Sequence, residues 1–216
     1  PGGRPVTDAA ARVDLAAAWG AEVPSAPGLN GTQILQAAAA GTLQALVVAG
    51  LQPTDFADAQ ATRDGIEQAG FVVSLESRQS EVTQRADVVF PVDLIEEQAG
   101  TFWNWEHRPG RVNRVIKRVP SPMTDVRALA MLADALGSDL GFRIPGGARA
   151  EFDELGAWEG TRAPQPTEPA AAQPAATGSS LVLASWRLLL GGSAATDGAA
   201  ALLETAKPDV ARLSPA

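Results

Sequence analysis

The sequence of 216 residues has no cysteine and a single histidine, His107. Without cysteine, disulfides, thiolate-held zinc and iron–sulfur ligation are all excluded within these residues. A Ser-His-Asp triad would have to use His107, and the Gly-x-Ser-x-Gly turn that presents a nucleophilic serine is absent. We therefore expect no catalytic residue in the chain, and we interpret His107 as a solvated or hydrogen-bonded turn residue.

The common loops for binding phosphate or a metal ion are missing too. There is no Gly-x-Gly-x-x-Gly and no Walker loop. The acidic cluster Glu151, Asp153 and Glu154 lacks the glycine turn and the distal glutamate of a calcium loop. We interpret this cluster as a solvated helix start, where carboxylates suit the helix dipole, and we predict no metal site.

Long apolar runs and positive charge are both scarce. The best apolar runs, residues 45–51 and 181–190, are far shorter than the roughly 20 residues that cross a bilayer, and Arg187 interrupts the second. The net charge of −8 argues against a nucleic-acid surface, which needs clustered cations. We expect no nucleic-acid binding, no direct membrane insertion and no signal peptide. Because the sequence opens with Pro1 and Gly2, we expect an internal piece of a longer polypeptide.

What is present first is an alternation of helices and short apolar runs. Three almost wholly apolar runs are typical of strands buried on both faces: residues 45–49, 71–75 and 86–90. Helical patterns precede or separate these runs, at residues 8–19, 32–40, 55–69 and 80–85. This alternation predicts an α/β fold with a Rossmann-like parallel sheet and right-handed crossovers.

The pattern changes after Pro91. Residues 100–105 and 111–119 are predicted to be extended and to be joined by a turn at Pro109 and Gly110. Apolar residues at helical spacing predict a helix over residues 124–136, and a short helix is expected over residues 151–158.

The composition of the remainder predicts a linker and part of another domain. Residues 160–180 are rich in Pro, Ala, Thr and Gln, so we expect an exposed segment without regular secondary structure. Residues 181–216 begin a new apolar unit with a small helix over residues 199–205. The predicted division is therefore an α/β domain (1–159), a linker (160–180) and the opening of a second domain (181–216).

Two groups of residues are candidates for ligand binding. Gly50 to Pro53 and Glu76 to Arg78 follow two predicted parallel strands, and α/β sheets bind ligands at the carboxyl ends of their strands. The second group is residues 97–108, whose mixture of Gly, Thr, Asn, Glu, Trp and Arg is unlike a simple surface loop.

This second group resembles a known family. The run ADVVFP followed by EEQAGTFWNWEHR is similar to the molybdopterin oxidoreductase pattern A-D-V-V-L-P and then E-x-x-G-T-x-x-N-x-E-G-R. The matching positions are Glu97, Gly100, Thr101, Asn104, Glu106 and Arg108. The run LVLASWRLLL resembles the start of the family's C-terminal β-barrel-type domain. Within the family, AGTFWNWE is most similar to the large iron–sulfur subunit of bacterial NADH:quinone oxidoreductase (complex I).

The resemblance also implies which residues would bind a pterin, if pterin binding is retained: Gly50, Pro53, Glu76, Gly100 and Thr101. Two departures from the family pattern argue against retention. Gln52 stands where a pterin-binding Asn is usual, and His107 stands where a Gly is usual. Because a histidine adopts a positive φ less readily than glycine, we expect no cofactor in this segment and iron–sulfur clusters elsewhere in the parent subunit.

Three functions remain open at this point. The resemblance favours a scaffold in the peripheral arm of complex I, with other peripheral-arm subunits as partners, on the cytoplasmic side of the bacterial inner membrane. The alternative is the molybdopterin-binding portion of a molybdenum or tungsten enzyme such as a formate dehydrogenase or nitrate reductase. A third interpretation is an independent α/β domain that binds a small molecule.

Overall fold

The computed structural model describes residues 2–104, 106, 108–117, 123–163, 190, 196–208 and 210–212. The chain forms two compact units, Pro1–Ala163 and Pro164–Ala216. Most of the predicted linker and the apolar run at residues 181–189 lie outside the described residues. The predicted domain boundaries and the barrel-type character of the last domain therefore stay predictions.

A parallel sheet forms the centre of the first unit. Its strands are β1 (Leu46–Ala49), β2 (Val72–Glu76) and β3 (Val88–Pro91), in the order β1-β2-β3. Val47 pairs with Val73, and Leu75 pairs with Phe90. The short apolar runs thus form the parallel strands that their composition predicted, and the prediction of a mixed α/β fold is confirmed.

Three helices accompany these strands: α1 (Ala9–Trp19), α2 (Gly31–Ala39) and α3 (Ala59–Gln68). Asn30 and Gln33 begin α2 with reciprocal side-chain to backbone hydrogen bonds of 2.9 Å, which satisfy two otherwise unpaired N–H groups. Asp58 caps α3 by accepting the Ala61 N–H. Gly65 allows α3 to approach α2 closely, since a Cβ there would lie 2.8 Å from the Leu35 carbonyl oxygen.

The sheet has a separate apolar core on each side. One core packs α2 and α3 on the sheet and consists of Leu35, Leu46, Val48, Ile66, Val72 and Val82. The other consists of Val73, Leu75, Val92 and Ala128. This second core does not extend over β1, which lies at one edge of the sheet: the side chain of Val47 is 50% exposed there.

The polypeptide after β3 forms a hairpin and two further helices. These elements are β4 (Gly100–Trp103), β5 (Pro109–Val112), α4 (Asp125–Ala135) and α5 (Pro145–Leu155). β4 and β5 pair antiparallel, with Thr101 opposite Arg111 and Trp103 opposite Pro109.

Two expectations for this region are wrong in detail. Pro109 and Gly110 belong to β5, so the chain reverses before them rather than at them, and no strand continues from Val112 over residues 113–117. Helix α5 starts at Pro145, six residues before the expected start at residue 151. Pro145 occupies the first helical position, where its missing N–H is not needed, and this signal outweighs the low helix propensity of the two glycines that follow.

Arg4 ties the start of the unit to the end of α5. Its side chain is 5% exposed and donates to the carbonyl oxygens of Leu155 and Gly156, each at 2.9 Å, and to Asp14 on α1 at 2.6 Å. The guanidinium also lies over the Trp158 ring, 5.7 Å from its centroid. Carbonyls at a helix C-terminus lack intrahelical donors, so a cation there satisfies both hydrogen bonding and the helix dipole.

The described part of the second unit contains one short helix, α6 (Ala200–Leu203), which lies within the predicted range of 199–205. The Thr205 hydroxyl donates to the Leu202 carbonyl at 2.7 Å and ends this turn. Within the residues that the structure describes, no helix has both the length and the apolar composition needed to span a bilayer.

Candidate functional site

The first candidate group lies at the carboxyl edge of the parallel sheet, as predicted. Gly50 follows β1 with a φ of +57°, a conformation that favours glycine, and its N–H donates to the Leu75 carbonyl at 3.1 Å. Glu76 is the last residue of β2 and pairs with Pro91 in register. Gly50 and Glu76 are therefore brought to the same edge by the pairing of β1 with β2.

Pro53 lies beside this edge in a tight turn. It is buried and begins a single 3₁₀ turn, Pro53–Asp55. The N–H of Gln52 donates to the Asp55 carboxylate at 3.2 Å. The turn therefore satisfies its first backbone donor with its own carboxylate.

The surroundings of Glu76 at this edge change the pKa of its carboxyl group. Burial raises the pKa of this carboxyl above its ordinary value, and the N–H of Ser77, 3.2 Å from Oε1, opposes that rise. Asp125 raises the pKa further by repulsion, while Arg78 lowers it by attraction. The Asp125 carboxylate thus acts on Glu76 where α4 begins beside the end of β2.

Gly100 and Thr101 belong to a different place, a cavity of about 430 Å³ beside the β4–β5 hairpin. Its lining includes Gly100, Thr101, Phe102, Trp103, Asp125, Arg149 and Phe152. The five residues expected for a retained pterin site are therefore divided into two groups. Asp125 is the link between them, because it lines the cavity and also acts on Glu76.

An aromatic contact closes one side of the cavity. The rings of Trp103 and Phe152 lie 4.6 Å apart at an angle of 52°, an arrangement typical of favourable aromatic pairs. The Arg149 guanidinium lies 5.5 Å from the Trp103 ring centroid and pairs with Asp153 at 2.7 Å. Arg149 lowers the pKa of Asp153 through this hydrogen bond. The hairpin is thereby attached to α5.

The motif residues of the hairpin hold the chain reversal itself. The Asn104 side-chain oxygen accepts the N–H groups of Glu106 at 3.0 Å and Arg108 at 2.9 Å. The Asn104 N–H donates to the Arg108 carbonyl at 3.1 Å, and the Arg108 guanidinium lies 3.3 Å from Glu106. Asn104, Glu106 and Arg108 are thus hydrogen-bond and ion-pair partners of one another. Trp105 and His107 lie outside the described residues.

A buried acidic group behind the hairpin was not anticipated. The Asp93 side chain is fully buried, and its carboxylate lies 3.7 Å from the Arg114 guanidinium. Arg114 also donates from Nε to the Glu97 carbonyl, and the Glu97 carboxylate accepts the Leu94 N–H at 3.2 Å. Glu97, singled out by its motif, is thus a residue that shapes the backbone before β4. Among the described residues, no three His, Cys, Asp or Glu side chains lie close enough to share a metal ion.

The comparison with known proteins agrees with this architecture. The family described as Molybdopterin oxidoreductase matches residues 6–136, which include all three parallel strands, the hairpin and α4. The chain belongs to the molybdopterin oxidoreductase family, as its motifs predicted.

Individual relatives show which proteins of the family the chain is similar to. The G subunit of the NADH-quinone oxidoreductase of Streptomyces coelicolor is 46% identical over 223 residues, which cover 100% of this chain and 26% of that protein. The corresponding protein of Mycobacterium tuberculosis is 43% identical and also matches 100% of this chain, with 27% of its own length. The putative formate dehydrogenase YrhE of Bacillus subtilis is 29% identical over 72% of this chain. The chain thus spans about a quarter of the length of the NADH-quinone oxidoreductase relatives that it matches.

Proposed function

We propose that this chain is a structural part of the large iron–sulfur subunit of NADH:quinone oxidoreductase, the complex that passes electrons from NADH to quinone. The observation that carries the proposal is the extent of the likeness. Identity of 46% with an NADH-quinone oxidoreductase protein runs through the whole chain, whereas the 29% identity with a putative formate dehydrogenase covers 72% of it.

The contacts of the motif residue Asn104, and of Arg114 nearby, support a scaffold role. The Asn104 side-chain oxygen accepts two backbone N–H groups, and the Arg114 guanidinium binds the 93–97 turn. Such side-chain to backbone contacts stabilise one conformation of a loop. These residues therefore have a structural role in the segment that needs no ligand.

A pterin nucleotide carries phosphate, so its binding site needs N–H donors or cations. At the carboxyl edge, the N–H of Gly50 is bonded to Leu75 and that of Gln52 to Asp55. The charged groups there include Asp55 and Glu76, and the one cation that acts on Glu76, Arg78, offsets repulsion from Asp125. The described edge does not fit a phosphate-bearing group. We therefore propose that Gly50, Pro53, Glu76, Gly100 and Thr101 bind no cofactor.

The proposal also implies where the clusters, partners and remaining domains of the parent subunit lie. The iron–sulfur clusters would be bound by residues of the parent subunit outside this chain, which contains no cysteine. The partners would be other peripheral-arm subunits on the cytoplasmic side of the bacterial inner membrane. Residues 181–216 would begin the barrel-type domain, and the α/β domain would position the cluster-bearing domains for electron transfer.

One observation favours the alternative, a catalytic molybdenum or tungsten enzyme. Gly50 has a positive φ, and no heavy atom of the described residues other than its two chain neighbours lies within 4 Å of where its Cβ would be, so the backbone there is open to close approach. The third interpretation, a small-molecule domain, is supported by the cavity beside the hairpin.

The intact parent complex decides between these functions. Elemental analysis should find iron without stoichiometric molybdenum or tungsten, and oxidation of the denatured protein should release no fluorescent pterin. Stoichiometric pterin would contradict the scaffold proposal. As a control, a formate dehydrogenase carried through the same extraction must release its pterin.

A further inference from the structure

Positive charge is concentrated in one short segment of the chain, despite its net charge of −8. Cationic residues recur at every third position in the segment 108–117, which we call the basic strand although only residues 109–112 pair in β5. They are Arg108, Arg111, Arg114 and Lys117. No Asp or Glu occurs between residues 107 and 124. In an extended chain these cations are spread over roughly 30 Å. A local field of this kind attracts an anionic partner.

The basic strand also exposes apolar side chains. Val115 is 82% exposed and Ile116 is 49% exposed, and both N–H groups donate to the Glu96 carbonyl at 2.9 Å. The neighbouring Ile95 is 54% exposed. Contiguous apolar residues on a surface, rimmed by charge, mark interaction sites.

An ion pair and hydrogen bonds hold this surface in one conformation. Arg114 points its guanidinium at the fully buried Asp93 and at the Glu97 carbonyl, so it anchors the middle of the basic strand. The hydrogen bonds to the Glu96 carbonyl hold Val115 and Ile116 in place. A preorganised surface loses little entropy when a partner binds. Arg108 is paired with Glu106, so the charges left to face a partner are chiefly Arg111 and Lys117.

The apolar surface continues into the cavity beside the hairpin. Ile95 belongs to both, and Phe102, which is 52% exposed, stands at the cavity next to it. A volume of about 430 Å³ is enough to receive a large side chain. A bilayer surface is smooth on this scale and would leave such a concavity unfilled, whereas a protein segment can insert a side chain into it.

We propose that the basic strand and the adjoining cavity dock an acidic, amphipathic segment of a partner protein. Its carboxylates would pair with Arg111 and Lys117, and an apolar side chain would enter the cavity past Ile95. This inference rests on the proposed scaffold role, since it specifies the chemistry of one partner contact within the assembled complex.

The test is a photo-crosslink made in the native, membrane-bound complex. A photoreactive amino acid replaces Val115 in the full-length subunit, and the adduct is mapped by mass spectrometry after irradiation. We expect an adduct with a protein segment that carries several Asp or Glu residues beside apolar ones. We expect Lys117→Glu in the same subunit to reduce the crosslink yield severalfold. Lys207→Glu, which makes the same charge change at the other lysine of this 216-residue sequence, should leave the yield unchanged.

Each other outcome overturns the docking inference. These are an adduct with phospholipid, an adduct with a segment that lacks carboxylates, no adduct, or an equal loss of yield in the Lys117→Glu and Lys207→Glu variants. None of them bears on the scaffold role, which is tested separately by the metal and pterin content. Conversely, a recovered pterin would contradict the scaffold proposal while the crosslinked segment would still be identified.

Discussion

Arg4 donates to the carbonyl oxygen of Gly156 at 2.9 Å, across 152 residues of chain. The same side chain bonds Leu155 and Asp14, and the Trp158 N–H donates a hydrogen bond of 2.8 Å to the Gly2 carbonyl. The two ends of the first unit are thus closed on each other by polar contacts. Because these contacts join the end of α5 to Gly2 and Arg4, the stability of α5 depends on residues at the start of the chain.

Arg4→Ala should therefore lower the free energy of unfolding by about 2–3 kcal/mol, because it removes charge-assisted hydrogen bonds and leaves two carbonyls without donors. Urea unfolding of the chain measures this change. Arg4→Lys should recover only part of it, since an ammonium lacks the planar fork that reaches two carbonyls and a carboxylate together. Arg63→Ala is the control, because its ion pair with Glu81 lies at the surface, and its unfolding midpoint should hardly move. Equal losses in the Arg4→Ala and Arg63→Ala variants would contradict the prediction.

Gly65→Ala should destabilise the chain by roughly 1–3 kcal/mol, because the added methyl group would overpack the contact of α3 with α2. Its Cβ would lie 2.8 Å from the Leu35 carbonyl oxygen, a backbone atom that cannot move aside. Gly146→Ala in α5 is matched to it, since in the described part of the chain no atom outside the neighbouring residues and the backbone of α5 lies within 4 Å of that Cβ position. There the substitution should stabilise by at most about 1 kcal/mol through helix propensity. Thermal unfolding should show opposite signs, and a common sign would refute the packing argument.

Glu76→Gln should make the chain more stable near neutral pH. Burial raises the pKa of Glu76 above its ordinary value of 4.5, so the unfolded state loses this proton first as the pH rises. Ionisation therefore lowers the free energy of unfolding progressively above about pH 4.5, up to the folded-state pKa, and the loss persists at higher pH. Glutamine removes the charge and keeps an oxygen that can accept the Ser77 N–H.

Unfolding midpoints of the wild-type chain and the Glu76→Gln variant, measured below pH 4.5 and again near neutrality, check this prediction. The advantage of the variant should be absent at the acidic end and present at neutral pH. A constant difference at both values would mean that the substitution acts through packing.

Trp103→Ala should weaken the attachment of the hairpin to α5. Because Trp103 is partly exposed, we expect a loss of roughly 2 kcal/mol rather than the 3–5 kcal/mol of a fully buried tryptophan. A double-mutant cycle with Phe152→Ala should give a coupling free energy of about 0.5–1.5 kcal/mol for the two rings. Additive losses would show that the contact contributes nothing of its own.

In the proposed parent complex, the same Trp103→Ala change should reduce the amount of assembled enzyme while turnover per iron–sulfur centre stays near normal. The same expectation applies to Trp105→Ala, although Trp105 lies outside the described residues. Full assembly with collapsed turnover would mean that the hairpin takes part in chemistry.

In the same proposed complex, His107→Ala should leave NADH:quinone turnover essentially unchanged, since we interpret this residue as part of a turn. Quinone reduction per assembled complex is the measurement, and the amount of complex serves as the internal control. A loss of orders of magnitude at normal assembly would assign the histidine a catalytic role.

Local patterns in the sequence predicted most of the first unit. Apolar runs of four or five residues between helices are visible in composition alone, and β1 begins within one residue of its predicted position. Asn30 and Gln33 form the cap that their spacing allows. The sequence predicts too late a start for α5 because Gly146 and Gly147 depress helix propensity, although Pro145 is well suited to the first helical position.

The candidate site was harder to predict, because its geometry depends on distant contacts. Grouping Gly50 with Glu76 needed only the rule that parallel strands end together. The ion pair of Asp93 with Arg114 and the approach of Asp125 to Glu76 link residues 21 and 49 positions apart, and no spacing rule applies at such distances. The separation of Gly100 and Thr101 from the sheet edge likewise follows from how the hairpin packs on α5.

The uncovered side of β1 has a consequence for solubility. Val47 is half-exposed, and the outward backbone groups of this edge strand meet no other described strand. An apolar strand with a free edge is a template on which a second molecule can add its own strand. The chain produced by itself should therefore form larger species as its concentration rises, which sedimentation velocity would detect. Val47→Lys should suppress this growth, because a charge on an edge strand opposes the addition of a neighbour.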